Sequence, residues 1–348
     1  MTTPLRIGII GTGFIADVVA GHMPRTPSVR LTAVASRRPQ AAESFVERHQ
    51  ASAHDLRAYA TWHELVASSA VDAVYVATPT AVREEICVSA AKRGKHVLAE
   101  KPFVSSASVA TITQACHEHG VAFLDATHFT HHPRTAMLKA ELATRIGALQ
   151  TIATTFFVPS MDRTNIRFNP AREPTGAFGD MVWYAMRAIV EYAGVDVVLA
   201  SAHGCAERDA VSGAVVRSAG VLRLTSGCMS TWDAGYTVGT SVQDLSLLGD
   251  RGIIQCDDFV LDWARGFPGM VDEHATEFVQ RAGIIGPSSY AHVATPTAHA
   301  PVSLMLDHFA ALAAAPGSAA NQESVVRTLA TQRLLDDVWC ELHFVEDR

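Results

Sequence analysis

Two side chains in this sequence have the chemistry to share a proton with a reacting oxygen. Lys101 ends the run Gly94-Lys95-His96-Val97-Leu98-Ala99-Glu100-Lys101-Pro102, and Tyr184 ends Gly176-Ala177-Phe178-Gly179-Asp180-Met181-Val182-Trp183-Tyr184. An ammonium at the carboxyl end of an apolar strand can polarise a carbonyl or relay a proton while hydride moves. A tyrosine hydroxyl near such an ammonium can act as general acid toward a developing alkoxide. At α-helical spacing Asp180, Tyr184 and Arg187 share one face. Spacing alone equally admits an ion-paired surface turn at Glu100-Lys101, and a half-buried core tyrosine behind a first-turn acid.

A hydride needs a carrier, and the first turn of the chain is shaped for one. Leu5-Arg6-Ile7-Gly8-Ile9-Ile10 runs into Gly11-Thr12-Gly13-Phe14-Ile15-Ala16, a strand, tight turn and helix start with Gly-x-Gly-x-x-Ala spacing. Gly11 permits the turn, Gly13 lets backbone approach a pyrophosphate, and Ala16 lets the helix sit close on the strand. Backbone N–H groups at the helix start, around Phe14 and Ile15, then meet the phosphates. At the end of the second strand stand Ser36-Arg37-Arg38, with no acid before Glu43. Guanidinium groups grip a 2′-phosphate, whereas a ribose 2′-hydroxyl calls for an acid there. The expectation is therefore NADP(H), with NAD(H) second; a solvated basic turn is the alternative.

Other constellations say less. His128, His131 and His132 lack the cysteine or paired carboxylate that would complete a metal shell, so no metal is expected. The six cysteines (Cys87, Cys116, Cys205, Cys228, Cys256, Cys340) form no C-x-x-C pair and read as reduced thiols of a cytoplasmic protein. Net charge −7 gives no support for nucleic acid or acidic membranes as partners. No apolar run reaches transmembrane length, and Met1-Thr2-Thr3-Pro4 leaves no room for a signal peptide.

Behind these residues the pattern predicts an α/β chain. Strands at Val29–Ala35, Val71–Val76, His96–Ala99 and Val121–Leu124 alternate with helices at Pro39–His49, Thr61–Ser68, Thr80–Arg93 and Ser105–His119. Such alternation means right-handed crossovers and a doubly wound parallel sheet over residues 1–125. Residues 126–348 read as an α+β domain with a mostly antiparallel sheet and helices on one face. Its helices are expected at Pro133–Thr144, Gly176–Tyr192, Pro301–Ala315 and Asn321–Phe344, the last packing back on the first domain. Its strands are expected at Leu149–Val158, Val215–Leu224, Cys228–Tyr236, Val242–Leu248 and Gly252–Val260, with 265–300 as a long loop serving as a flap or interface.

Taken together, Gly11-x-Gly13-x-x-Ala16, Ala77-Thr78-Pro79-Thr80, the Gly94–Pro102 run and Gly176–Tyr184 resemble the Gfo/Idh/MocA oxidoreductases. The resemblance covers essentially the whole chain. It implies an N-terminal Rossmann domain, a substrate-binding and dimerisation domain over residues 126–348 whose open-faced sheet mediates homodimers or higher homo-oligomers, and cofactor contacts from Thr78, Pro79, Glu100 and Lys101. Many members carry Asp-x-x-x-His where this chain has Asp180-x-x-x-Tyr184, so it is similar to the branch with dimeric dihydrodiol dehydrogenase and deoxysugar C-3 ketoreductases. Phe129–Arg134 and Asn165-Ile166-Arg167 resemble that branch as well. Arg83 and Ala126 depart from the family's usual residues.

The implied activity is NADP(H)-dependent interconversion of a secondary alcohol and a ketone on a sugar, sugar nucleotide or cyclic polyol. Lys101 and Tyr184 would be catalytic, and Asp180, His132 and Arg167 would orient substrate hydroxyls. The competing expectation is an NADP(H)-binding sensor or partner subunit without turnover, which would make no demand on Lys101 or Tyr184.

Overall fold

The computed structural model describes residues 3–53, 55–265, 267, 275–284 and 286–345. The chain forms two compact units: one runs through His128 and takes back Pro301–Leu329, and the other holds Phe129–Ala300 and the chain from Ala330.

The first unit contains β1 (Leu5–Ile10), α1 (Phe14–His22), β2 (Val29–Ala35), α2 (Pro39–His49), β3 (Arg57–Tyr59), α3 (Trp62–Ala67), β4 (Ala73–Val76), α4 (Thr80–Lys92), β5 (His96–Ala99), α5 (Ser106–Glu118) and β6 (Phe123–Asp125). All pairs are parallel, in the order β3-β2-β1-β4-β5-β6. That is the doubly wound nucleotide-binding order, with its switch point beside β1. The inner strands are apolar runs because helices cover both faces: every residue of β4, and all of β2 except Arg30, is buried. Thr61 and Ser105 cap α3 and α5 through their hydroxyls, accepting from Glu64 N and Ser108 N. The edge strand β3 was not foreseen, since two exposed residues and one half-buried one carry no periodic signal.

The second unit contains α6 (Pro133–Ile146), β7 (Leu149–Phe157), α7 (Trp183–Ala193), β8 (Leu199–Arg208), β9 (Val215–Leu224), β10 (Met229–Gly235), β11 (Val242–Gly249), β12 (Gly252–Cys256), β13 (Glu277–Ala282) and β14 (Ala291–Ala294). α8 (Pro301–Ala314) returns to the first unit, α9 (Ala319–Cys340) begins in the first and ends in the second, and β15 (Leu342–Val345) closes the chain. The nine strands run β14-β13-β12-β11-β7-β10-β9-β8-β15, antiparallel except for β7/β10 and β8/β15. Along β7, buried Ile152, Thr154 and Phe156 alternate with half-exposed Thr151, Ala153 and Thr155, as a sheet with one covered face requires.

Three expectations change. Glu277–Ala282 and Ala291–Ala294 pair as antiparallel strands β13 and β14 rather than lying in a loop; of the expected 265–300 loop, 266, 268–274 and 285 lie outside the described residues. The last helix stops at Cys340, and Leu342–Val345 pairs with β8, with Phe344 packed against Trp339 and under the Arg208 guanidinium. The helix expected from Gly176 opens as a wider π-turn over Phe178–Val182 before α7 begins. The extra residue in that turn breaks the α-helical spacing on which Asp180, Tyr184 and Arg187 would have shared a face.

Candidate active site

In the first unit the sequence-selected residues gather along one edge, the carboxyl ends of β2, β1, β4 and β5. Gly11 has φ +115°, and a Cβ there would lie 2.4 Å from the Ala77 carbonyl oxygen, so the turn at β1 tolerates only glycine. A Cβ at Gly13 would meet nothing within 4 Å, so the start of α1 presents bare backbone to open space. Phe14 beside it is 57% exposed, while Ile15 is half-buried and Ala16 fully buried. Thr12 Oγ1 donates to Ser36 Oγ at 3.4 Å and Arg38 N to the same oxygen at 3.3 Å, tying the glycine turn to the end of β2.

The guanidinium groups of Arg37 and Arg38 are exposed and make no hydrogen bond or ion pair among the described residues. Thr78, after β4, has a buried hydroxyl with no partner among the described residues, and Pro79 precedes α4. Open backbone at a helix N-terminus, an unpartnered hydroxyl and two uncommitted guanidinium groups fit a dinucleotide carrying a 2′-phosphate.

At the end of β5, Glu100 N donates to Val76 O, and the Glu100 carboxylate accepts the Tyr75 hydroxyl at 2.6 Å. Tyr75 is fully buried, so the acid is held from inside the sheet. Lys101 follows, 8% exposed, joined to Pro102 by a cis peptide. His128, near the Lys101 ammonium, is pushed down to about 3 by burial first and by that charge second, so it is a neutral ring.

In the second unit Tyr184 lies on α7, 7% exposed. Its ring meets Phe156 edge-on at 5.1 Å and tilts against Phe129 at 6.2 Å; both phenylalanines touch Phe259. This aromatic set fixes the ring and surrounds it with low dielectric. Asp180 Oδ2 accepts from Arg167 Nε at 2.6 Å and from the Tyr236 hydroxyl at 2.9 Å. The Asp180 charge holds Arg167 protonated, and burial followed by that charge raises Tyr236, which therefore stays a neutral donor. The Arg167 side chain is 37% exposed against 17% for Asp180, so the guanidinium is the more accessible half of the pair. Arg187 instead pairs with Glu191, which also takes Lys139, and serves α7 and α6 rather than the Asp180 group.

His132 lies at the start of α6. It is the N-cap of α6, 3% exposed, its Nδ1 accepting from Arg134 N at 3.0 Å. The proton must then sit on Nε2, which faces Asp262 at 3.9 Å. Burial first and Arg134 second push the ring down to about 4. The ring caps a helix through Nδ1, and its Nε2 has no hydrogen-bond partner among the described residues.

Residues 5–127 match the family described as oxidoreductase family, NAD-binding Rossmann fold. A scyllo-inositol 2-dehydrogenase (NADP(+)) of Bacillus subtilis is 35% identical over 153 residues, 44% of this chain and 45% of that protein. A dTDP-3,4-didehydro-2,6-dideoxy-alpha-D-glucose 3-reductase of Actinomadura kijaniata is 32% identical over 209 residues, 59% of this chain and 61% of that protein. The aligned regions thus span about half the length of these curated relatives. The structure of a 3-ketoreductase from Actinomadura kijaniata in complex with NADP and TDP-benzene superposes with a TM-score of 0.86 at 22% identity, covering 98% of this chain and 99% of that one.

Over residues 5–127 the chain is similar to the Gfo/Idh/MocA oxidoreductases. The fold of both units is the one the sequence resemblance implied. Residues the sequence did not single out are Tyr236, 56 positions from its partner Asp180, and the ring set of Phe156 and Phe259. Each becomes a neighbour only through the tertiary fold, and no local motif marks it. Among the described residues no group of three or more His, Cys, Asp or Glu could hold a metal, and no helix is long and apolar enough to cross a membrane.

Proposed function

We propose that this oxidoreductase uses NADP(H) to interconvert a secondary alcohol and a ketone on a sugar, sugar nucleotide or cyclic polyol. The observation that carries the reading is the edge of the first sheet, where open backbone at Gly13 lies beside the uncommitted guanidinium groups of Arg37 and Arg38. The sugar and polyol dehydrogenases and the deoxysugar 3-reductase among its relatives, two of them named for NADP(+), support the substrate class.

The nicotinamide, when bound, supplies or accepts the hydride. Gly11, Gly13, Phe14 and Ile15 receive the pyrophosphate, Ser36, Arg37 and Arg38 the 2′-phosphate, and Thr78, Pro79 and Glu100 the remainder of the dinucleotide. Tyr184 donates its hydroxyl proton to the oxygen of the ketone in reduction and takes it back in oxidation. Lys101 places its ammonium on the same oxygen, where it stabilises negative charge as it develops. Asp180 and Arg167 act as one pair, with Arg167 presenting donors to substrate hydroxyls and Asp180, steadied by Tyr236, fixing its direction. Self-association as a homodimer or higher homo-oligomer is assigned to the uncovered sheet face around Thr151, Ala153 and Thr155, and the mass in solution tests it.

Turnover should be sought with D-xylose and scyllo-inositol plus NADP+, and with a dTDP-linked 3-ketodeoxysugar plus NADPH, followed by nicotinamide absorbance. On an active substrate, Tyr184→Phe should lower kcat by about 10²–10⁴, the usual contribution of a positioned general acid. Its affinity for NADPH should remain within a factor of two or so of wild type, about 0.4 kcal/mol. Equal loss of turnover and NADPH affinity would make the tyrosine structural. Tight NADPH binding without turnover on the whole panel would favour a cofactor-binding sensor.

A further inference from the structure

Arg83 stands on α4 and is 4% exposed, yet among the described residues its hydrogen-bond partners include no carboxylate. Its Nη1 donates to the carbonyl oxygen of Pro102 and to Thr80 Oγ1 (3.3 Å), and its Nη2 donates to the carbonyl oxygen of Thr78 (2.6 Å). Those carbonyls lie past the ends of β5 and β4, outside the strand ladders. Burying a cation against neutral oxygens alone is costly, and an apolar side chain of similar volume fills a core better. What such a side chain cannot do is bridge two backbone carbonyls at once, which the planar guanidinium fork does. One bridged carbonyl belongs to the residue directly after Lys101, and the other to Thr78 on the nucleotide-facing loop.

We propose that Arg83 is a positioning residue that clamps the Lys101–Pro102 segment to the Thr78–Pro79 segment, so that the ammonium and the dinucleotide are held in one frame. The inference rests on the catalytic reading of Lys101. It assigns no contact between Arg83 and substrate or cofactor: Arg83 acts through the peptide backbone on either side of the site. Thr80, at the start of the same helix, anchors the fork from the third side.

The chain has only four lysines, Lys92, Lys95, Lys101 and Lys139, which makes each amine separately measurable. Trace acylation with acetic anhydride, read lysine by lysine by mass spectrometry, should be compared in wild type, Arg83→Met and Arg83→Lys. Releasing the clamp should raise the Lys101 rate roughly tenfold, the factor expected when local opening becomes easier by about one hydrogen bond. Lys95, which donates to Ser68 O and Val71 O, and Lys139, paired with Glu191, should keep their rates. Arg83→Lys, which keeps the charge but reaches one carbonyl, should fall between wild type and Arg83→Met and covers the case in which Arg83→Met fails to fold.

On an active substrate, Arg83→Met should lower kcat by roughly tenfold or more with KM for NADPH little changed, and should cost nothing further in a Lys101→Ala background. Parallel acceleration of all four lysines, an unchanged Lys101 rate, or a full additional loss in the Lys101→Ala background would overturn the proposal. Full turnover by Lys101→Ala itself would sink the catalytic reading of that lysine, while the labelling rates would still decide whether Arg83 positions it.

Discussion

Gly13→Ala separates what the glycine turn does for a nucleotide from what it does for the fold. Gly13 has φ −81° and ψ 179°, extended backbone that alanine adopts freely, and its added Cβ would meet nothing within 4 Å. The folded state is therefore not strained by the methyl group. The unfolded chain loses some freedom, so stability should stay level or rise by about 0.4–1 kcal/mol. A dinucleotide sees the opposite: the methyl group stands where its pyrophosphate would approach the backbone. Displacing the phosphates from the helix N-terminus forfeits at least one charge-assisted hydrogen bond, about 1.5–3 kcal/mol. That is roughly ten- to more than a hundredfold in affinity.

The control is Gly11→Ala. There φ is +115° and the Cβ would lie 2.4 Å from Ala77 O, so the fold itself should lose stability, by about 1–3 kcal/mol or more. Thermal melting and fluorescence titration with NADPH read the two quantities separately. Gly13→Ala protein that melts at or above the wild-type temperature but binds NADPH as tightly as wild type would refute the placement of the pyrophosphate over Gly13.

Two further outcomes follow from the same structure. Arg37→Ala or Arg38→Ala should weaken NADPH binding by roughly ten- to more than a hundredfold, leave NADH nearly unchanged, and lose part of the effect as salt rises. Neither guanidinium has a partner to lose among the described residues, so melting should not move; wild-type protein that binds NADH more tightly than NADPH would contradict the assignment. His132 makes stability depend on pH with a defined sign. Its folded value of about 4 lies below the ordinary 6.5, so as pH falls the unfolded chain takes the proton first. The stabilisation is complete above pH 6.5 and is lost between there and about 4, with a full span on the order of 3 kcal/mol. His132→Asn keeps a capping acceptor and should flatten the acid limb of melting temperature against pH, leaving the share carried by His128; an unaltered limb would show that His132 is not the group responsible.

The first sheet and its nucleotide edge were legible in the amino-acid sequence because their determinants are local. A buried parallel strand is a short apolar run, a glycine turn is set by neighbouring residues, and the crossover rule then orders the strands. Ser36-Arg37-Arg38 could be read for the same reason, being adjacent to one another and to the end of β2. Tertiary structure decided the rest. Tyr236 reaches Asp180 across 56 positions, and Phe129 and Phe156 flank Tyr184 from separate segments, with Phe259 from a third packed against both. The π-turn at Phe178–Val182 sends Asp180 toward Arg167 and leaves Arg187 with Glu191, although α-helical spacing had put all three on one face. Arg83 shows the same division, since residue type announces what its side chain can bond, whereas only packing determines that its partners are the protein's own backbone carbonyls and Thr80. Long-range partners depend on register and burial, and neither is encoded in any window of neighbouring residues.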